Sequence, residues 1–83
     1  MATVSLPTAL AKELFGGRET IAVAGKTLFA VIHALEALGP GFEDRAGHTL
    51  AIAVDGVLAD DWSTPVRPDS AVLVVNRVAG GAG

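Results

Sequence analysis

An 83-residue chain that is 51% hydrophobic reads as one small packed domain rather than a disordered segment, near the size below which a core no longer suffices alone. It has no cysteine, which excludes disulfides, thiol catalysis and thiolate metal sites. A net charge of −3 with six basic residues, none of them clustered, excludes the electrostatic footprint of a nucleic-acid or anionic-membrane binder.

The start, "MATVSLP", carries neither the basic segment nor the long apolar run of a secretory signal. No apolar run approaches the ~20 residues that cross a bilayer, so a cytoplasmic protein is expected. "ATVSLP" alternates, with Ala2, Val4 and Leu6 on one face and Thr3 and Ser5 on the other. That is the period of a half-buried strand, and Pro7 ends it. "ALAKELFGG" predicts one or two helical turns stopped by Gly16 and Gly17. "TIAVAG" is a second short strand, with Ile21 and Val23 sharing a face.

In "KTLFAVIHALEALGPG", Leu28, Val31, Ile32, Leu35 and Leu38 recur as one apolar helical stripe. Thr27 is placed to cap the N-terminus, and Gly39 and Pro40 give the stop. "HTLAIAVDGVLAD" predicts a strand with Leu50, Ile52 and Val54 toward the core, an Asp55-Gly56 turn and a short return strand. "STPVRPDS" is a loop. "AVLVVN" is a continuous apolar run, as expected of a central strand buried on both faces.

The expected order is β, short α, β, long α, β, β, β. One helix with one apolar stripe covers one face of a mixed sheet. With the last strand central and parallel to the first, this is an α+β fold of the β-grasp, or ubiquitin-like, type: a four- or five-stranded sheet packed on one main helix. Residues 1–78 form the domain and residues 79–83 a glycine-rich tail.

Little inside the domain suggests chemistry. His33 falls on the main helix and His48 in a loop before a strand; with no carboxylate at ligand spacing, both read as structural or surface residues. Asp60 and Asp61, pointing opposite ways in extended chain, read as solvated loop charges. "FGGRE" is a helix stop and turn, not a phosphate loop. Trp62 either folds over the sheet edge or is an exposed partner contact, with packing the favoured reading. No nucleophile sits beside a base and no carboxylates pair, so the chain does not read as an enzyme.

The end, "VVNRVAGGAG", reads in two ways. It is a frayed terminus, or it is a reactive end. From Arg77 or Val78 onward it reaches on the order of 20 Å when extended. Glycines without Cβ thread a narrow channel, and the α-carboxylate at the tip becomes a good electrophile once it is an acyl-adenylate.

The segments "KELFGGRE", "VAGKTLFAVIHALEAL" and "IAVDGVLADDWSTPVRPDSAVLVVNRVAGG", in this order and spacing, resemble the ThiS/MoaD family of ubiquitin-like sulfur-carrier proteins over nearly the whole chain. The resemblance implies a partner adenylyltransferase, related to ubiquitin-activating enzymes, that uses ATP and Mg²⁺ of its own to adenylate the carrier's C-terminal glycine. A sulfur donor then converts the adenylate to a thiocarboxylate, and a biosynthetic enzyme, of the thiamine or molybdopterin type foremost, accepts the sulfur; the resemblance leaves cysteine and secondary-metabolite pathways open as well, since all four use such carriers. The carrier itself binds no cofactor.

Leu58 and Val75 match the family's apolar docking surface. Thr8 stands where some members carry an aromatic. Arg77, beside Val78, replaces a common proline and adds a charge-specific contact. The departure lies at the end, where Ala82 and Gly83 follow Gly80-Gly81. Either a protease exposes Gly81 or Gly83 itself is activated; loss of the chemistry is the third reading. Other functions left open are a ubiquitin-like modifier joined to lysines and a passive β-grasp interaction module.

Overall fold

The computed structural model describes residues 1–77. Five strands form one sheet: β1 (Ala2–Ser5), β2 (Thr20–Val23), β3 (Leu50–Val54), β4 (Val57–Leu58) and β5 (Ala71–Asn76). Their order across the sheet is β2-β1-β5-β3-β4. The central pair β1 and β5 is parallel, with Thr3 opposite Ala71 and Ser5 opposite Leu73; the other pairings are antiparallel. This is the expected β-grasp, with the two ends of the chain's fold meeting at the sheet centre.

The helices are α1 (Thr8–Leu14), α2 (Leu28–Leu38) and α3 (Phe42–His48). Leu28, Val31, Ile32 and Leu35 of α2 are buried against the inward face of the sheet, where Val4, Ile21, Ile52, Val72 and Val74 belong to the same core. Truncating a side chain such as Ile32 to alanine would cost ~2–5 kcal/mol, a large share of the ~5–15 kcal/mol that holds a domain together. Thr27 caps α2 as expected, its Oγ1 accepting the Ala30 N–H at 3.2 Å.

Three expectations are corrected. Leu38 is 49% exposed, because at ~100° per residue it has drifted ~80° from Leu28, off the buried stripe. A third helix, α3, stands where a loop was expected. It buries Phe42 and Ala46 one turn apart, and Phe42 meets Phe15 edge-to-face at 5.7 Å. Its first turn is held from outside: the Glu36 carboxylate accepts the Gly41 N–H at 3.1 Å and the Glu43 N–H at 2.9 Å. The Arg45 guanidinium also forks onto Glu13 of α1, which raises its own pKa and lowers that of the Glu13 carboxyl.

β5, expected to be buried on both faces, is buried on one face only. All the core belongs to a single cluster on the helix side, so nothing in the described chain covers the other face of the sheet.

Candidate docking face

Along β5, Val72 and Val74 enter the core while Ala71, Leu73 and Val75 face outward. An unbroken apolar run laid on a sheet covered on one side necessarily exposes half of its side chains. Register then assembles them with their neighbours. Leu73 lies between Ser5 of β1 and Ala53 of β3, and Ala53 is in turn opposite Leu58 of β4. Val75 lies opposite Ala51. Side chains opposite one another on a sheet sit about 5 Å apart, so Leu58, Ala53, Leu73, Ala51 and Val75 form one apolar patch.

The larger members are well exposed: Leu58 62%, Leu73 50% and Val75 42%. The two alanines, half-buried, form a shallow floor between them. Contiguous exposed apolar surface of this kind marks a contact site. Leu58 and Val75, singled out in the sequence, are thus on one face; Leu73 between them was missed. Its signal was there, in the missing alternation of "AVLVVN".

Arg77 follows Val75 at the same strand parity and is exposed. Its N–H donates to the Thr49 carbonyl at 2.7 Å, which fixes the end of β5 to the end of α3. Thr8 opens α1, where its hydroxyl donates to Glu19 at 3.0 Å. Val78, Gly80, Gly81, Ala82 and Gly83 lie outside the described residues.

The hairpin that carries Leu58 is rigidly placed. Asp55 and Gly56 have φ of 50° and 84°, the pair of positive values that a two-residue hairpin turn requires and that Asp-Gly supplies. The Asp55 carboxylate accepts the Ala71 N–H and the hydroxyl of buried Ser70, each at 2.8 Å. These bonds, the backbone one foremost, hold its pKa below the ordinary value.

Both histidines are exposed surface residues, as expected, but their surroundings are not those expected. His48 ends α3 instead of lying in a loop, and its Nδ1 is 3.7 Å from Asp44 Oδ1; His33 Nδ1 is 3.9 Å from Glu43 Oε1. Both carboxylates come from α3, so the spacing was invisible without that helix. Among the described residues no three His, Asp or Glu side chains group as a metal site. Trp62 packs against the core as expected, edge-to-face with Phe29 at 6.0 Å between ring centres. Asp61 accepts the Ser63 N–H and hydroxyl, which lower its pKa. Among the described residues no helix is long and apolar enough to cross a membrane.

No family model and no curated protein matches the sequence. Solved structures do match the fold. CysO of Mycobacterium tuberculosis, described as an antigen, superposes with a TM-score of 0.82 at 28% identity, over 94% of this chain and 100% of that one. A chain of the Amycolatopsis orientalis BexX/CysO complex gives 0.84 at 22% identity, over 98% of this chain and 100% of that one. SAMP1 of Haloferax volcanii gives 0.73 at 20%, over 96% and 98%. The resemblance to ThiS/MoaD-type ubiquitin-like proteins is borne out by these structures.

Proposed function

We propose that this chain is a sulfur carrier whose C-terminal glycine is adenylated by a partner enzyme and converted to a thiocarboxylate. The observation that carries the reading is the exposed patch of Leu58 on β4 with Leu73 and Val75 on β5, the strand that precedes the glycine-rich tail, in a fold shared with CysO. A partner that grips the patch holds the strand that precedes the tail in sequence. The general role is supported by the CysO likeness, and the complex of CysO with BexX supports a working life spent against protein partners.

In the chemistry proposed, the terminal carboxylate attacks the α-phosphorus of ATP and pyrophosphate leaves. A sulfur nucleophile then displaces AMP from the acyl-adenylate, leaving the thiocarboxylate. ATP and Mg²⁺ are held by the activating partner. This chain supplies the docking face, with Arg77 beside it for an acidic contact, and Gly81 after trimming or Gly83 directly as the reactive residue. A recipient in thiamine or molybdopterin biosynthesis is the finer form of the reading; the CysO likeness accords equally with a cysteine-forming recipient.

The test is incubation of the full chain with a cognate adenylyltransferase, ATP and a sulfide donor. Pyrophosphate release and a sulfur-for-oxygen mass increase at the C-terminal peptide are expected. A ladder of lysine conjugates in lysate would instead make it a modifier, and absence of any ATP-dependent change would leave a passive interaction module.

A further inference from the structure

The helix side of the molecule carries a second surface, remote from the sheet face and independent of the proposed carrier role. Between α2 and α3 runs a groove of about 600 Å³ lined by His33, Glu36, Glu43, Asp44, His48 and Trp62, with Gly41 and Gly47 as its bare positions. Phe29 continues the α2 wall one turn before His33, 55% exposed and edge-to-face against Trp62. A helical surface residue this apolar, paired with an indole at the mouth of a groove, has contact area to offer.

The charge is one-sided. Glu43 and Asp44 expose their carboxylates, and the groups within ion-pair reach of them among the described residues are the two histidines. Arg45, the nearest strong cation in sequence, is turned away onto Glu13. Asp60 and Asp61 directly precede Trp62. Glu36 is committed to the α3 backbone and so shapes the groove rather than binding in it.

An aromatic wall beside exposed carboxylates that face only histidines within ion-pair reach is complementary to one side chain above others. A guanidinium stacks on an aromatic face and takes carboxylate hydrogen bonds in its own plane. We infer that this groove docks an arginine-bearing segment of a partner protein, the arginine lying on Trp62 and reaching Glu43 and Asp44.

The experiment is a titration of the full chain with an N-acetylated, C-amidated hexa-arginine peptide at low and moderate salt. Fluorescence of Trp62, the chain's one tryptophan, and amide shifts give the readout. Saturable changes confined to Trp62, Gly41, Gly47 and their neighbours are expected, weakening as salt rises. The double variant Glu43→Gln, Asp44→Asn should bind at least about fivefold more weakly, a loss of about 1 kcal/mol.

Gly47→Gln is the second variant. Gly47 lines the groove and a Cβ there meets open space, so the fold tolerates the new side chain, which should weaken binding by obstructing the groove. Val57→Thr, a neutral change at an exposed hairpin position outside the groove, should bind as the parent does. The inference is overturned by shifts centred on Leu73, by shifts that do not saturate, by unchanged binding of either groove variant, or by a peptide-free dimer that moves the same residues.

Discussion

Asp55 and Ala71 are joined in both directions: the Ala71 N–H donates to Asp55 Oδ1 at 2.8 Å, and the Asp55 N–H donates to the Ala71 carbonyl at 2.8 Å. The β3–β4 hairpin, and with it Leu58, is thereby clipped to the start of β5. Asp55→Ala should lower the unfolding temperature, because it removes the acceptor and also puts alanine at a φ of 50°. Asp55→Asn should do so less, since asparagine tolerates that conformation and keeps an acceptor.

The same bonds set a pH dependence. The folded carboxyl titrates below its ordinary value of 3.8, so the unfolded chain takes up the proton first as pH falls. The contribution is complete above pH 3.8 and is lost below it, on passing through the folded value. Thermal unfolding of the parent should therefore weaken below that pH in a way that Asp55→Asn does not share.

Two glycines predict opposite outcomes. At Gly39 a Cβ would stand 2.6 Å from the Leu14 carbonyl oxygen and 2.8 Å from the Phe15 ring. Backbone cannot step aside, and Gly39→Ala should cost on the order of 1–3 kcal/mol. At Gly47, inside α3, a Cβ meets open space. There alanine removes backbone freedom from the unfolded chain, and Gly47→Ala should stabilise by ~0.5–1 kcal/mol. For a domain of this size ~1 kcal/mol moves the melting temperature by roughly 4–8 °C, so thermal denaturation resolves both signs.

Glu36 acts as the N-terminal cap of a helix it does not belong to. Glu36→Ala leaves the Gly41 and Glu43 N–H groups without their acceptor and should cost ~1 kcal/mol, as loss of a cap does. Amide exchange at Phe42 to Ala46 should accelerate while β1 and β5 stay protected. Uniform acceleration across the sheet would show that α3 does not open on its own.

What could be read from the residues tracks the length of the pattern. The α2 stripe spans two turns with a threonine cap and a glycine stop, and the Asp55-Gly56 turn has one economical conformation, so both were legible. The central place of β5, parallel to β1, was legible as the seat of the most apolar strand. α3 was not, because it shows only Phe42 and Ala46 at helical spacing and its cap comes from Glu36 across a turn, outside its own sequence. The outward half of β5 was misread for a different reason. An apolar run encodes apolar neighbours but not on which face the chain supplies them, and Leu73 and Val75 are left exposed.

Leu73 tests the face most directly, lying between Ser5 and the Ala53–Leu58 row. Leu73→Asp and Val75→Asp should each weaken binding to the activating partner by about 2 kcal/mol, roughly thirtyfold in Kd, as loss of a central contact does. Both side chains point away from the core, so stability should fall by only ~1 kcal/mol, the cost of aspartate in a strand. A Kd measured by calorimetry beside a melting curve separates the two effects. Unfolding of both variants, with loss of the cooperative transition, would assign these residues to the core instead.

The tail offers two glycines as the reacting residue. If an activating channel admits only glycine near the reacting carboxyl, the two readings of "GGAG" give opposite results. Should a protease expose Gly81, then Gly81→Ala abolishes adenylation, while a chain ending at Gly81 is activated at least as well as the full one. Should Gly83 react directly, the full chain releases pyrophosphate from ATP without processing, the shortened chain loses rate, and Gly83→Ala carries the defect. The channel must then pass the methyl group of Ala82, so Ala82→Val should slow activation by about tenfold or more, as a misplacement of the reacting group on the order of 1 Å does. Mass spectrometry of the C-terminal peptide after single turnover identifies which glycine bears the sulfur.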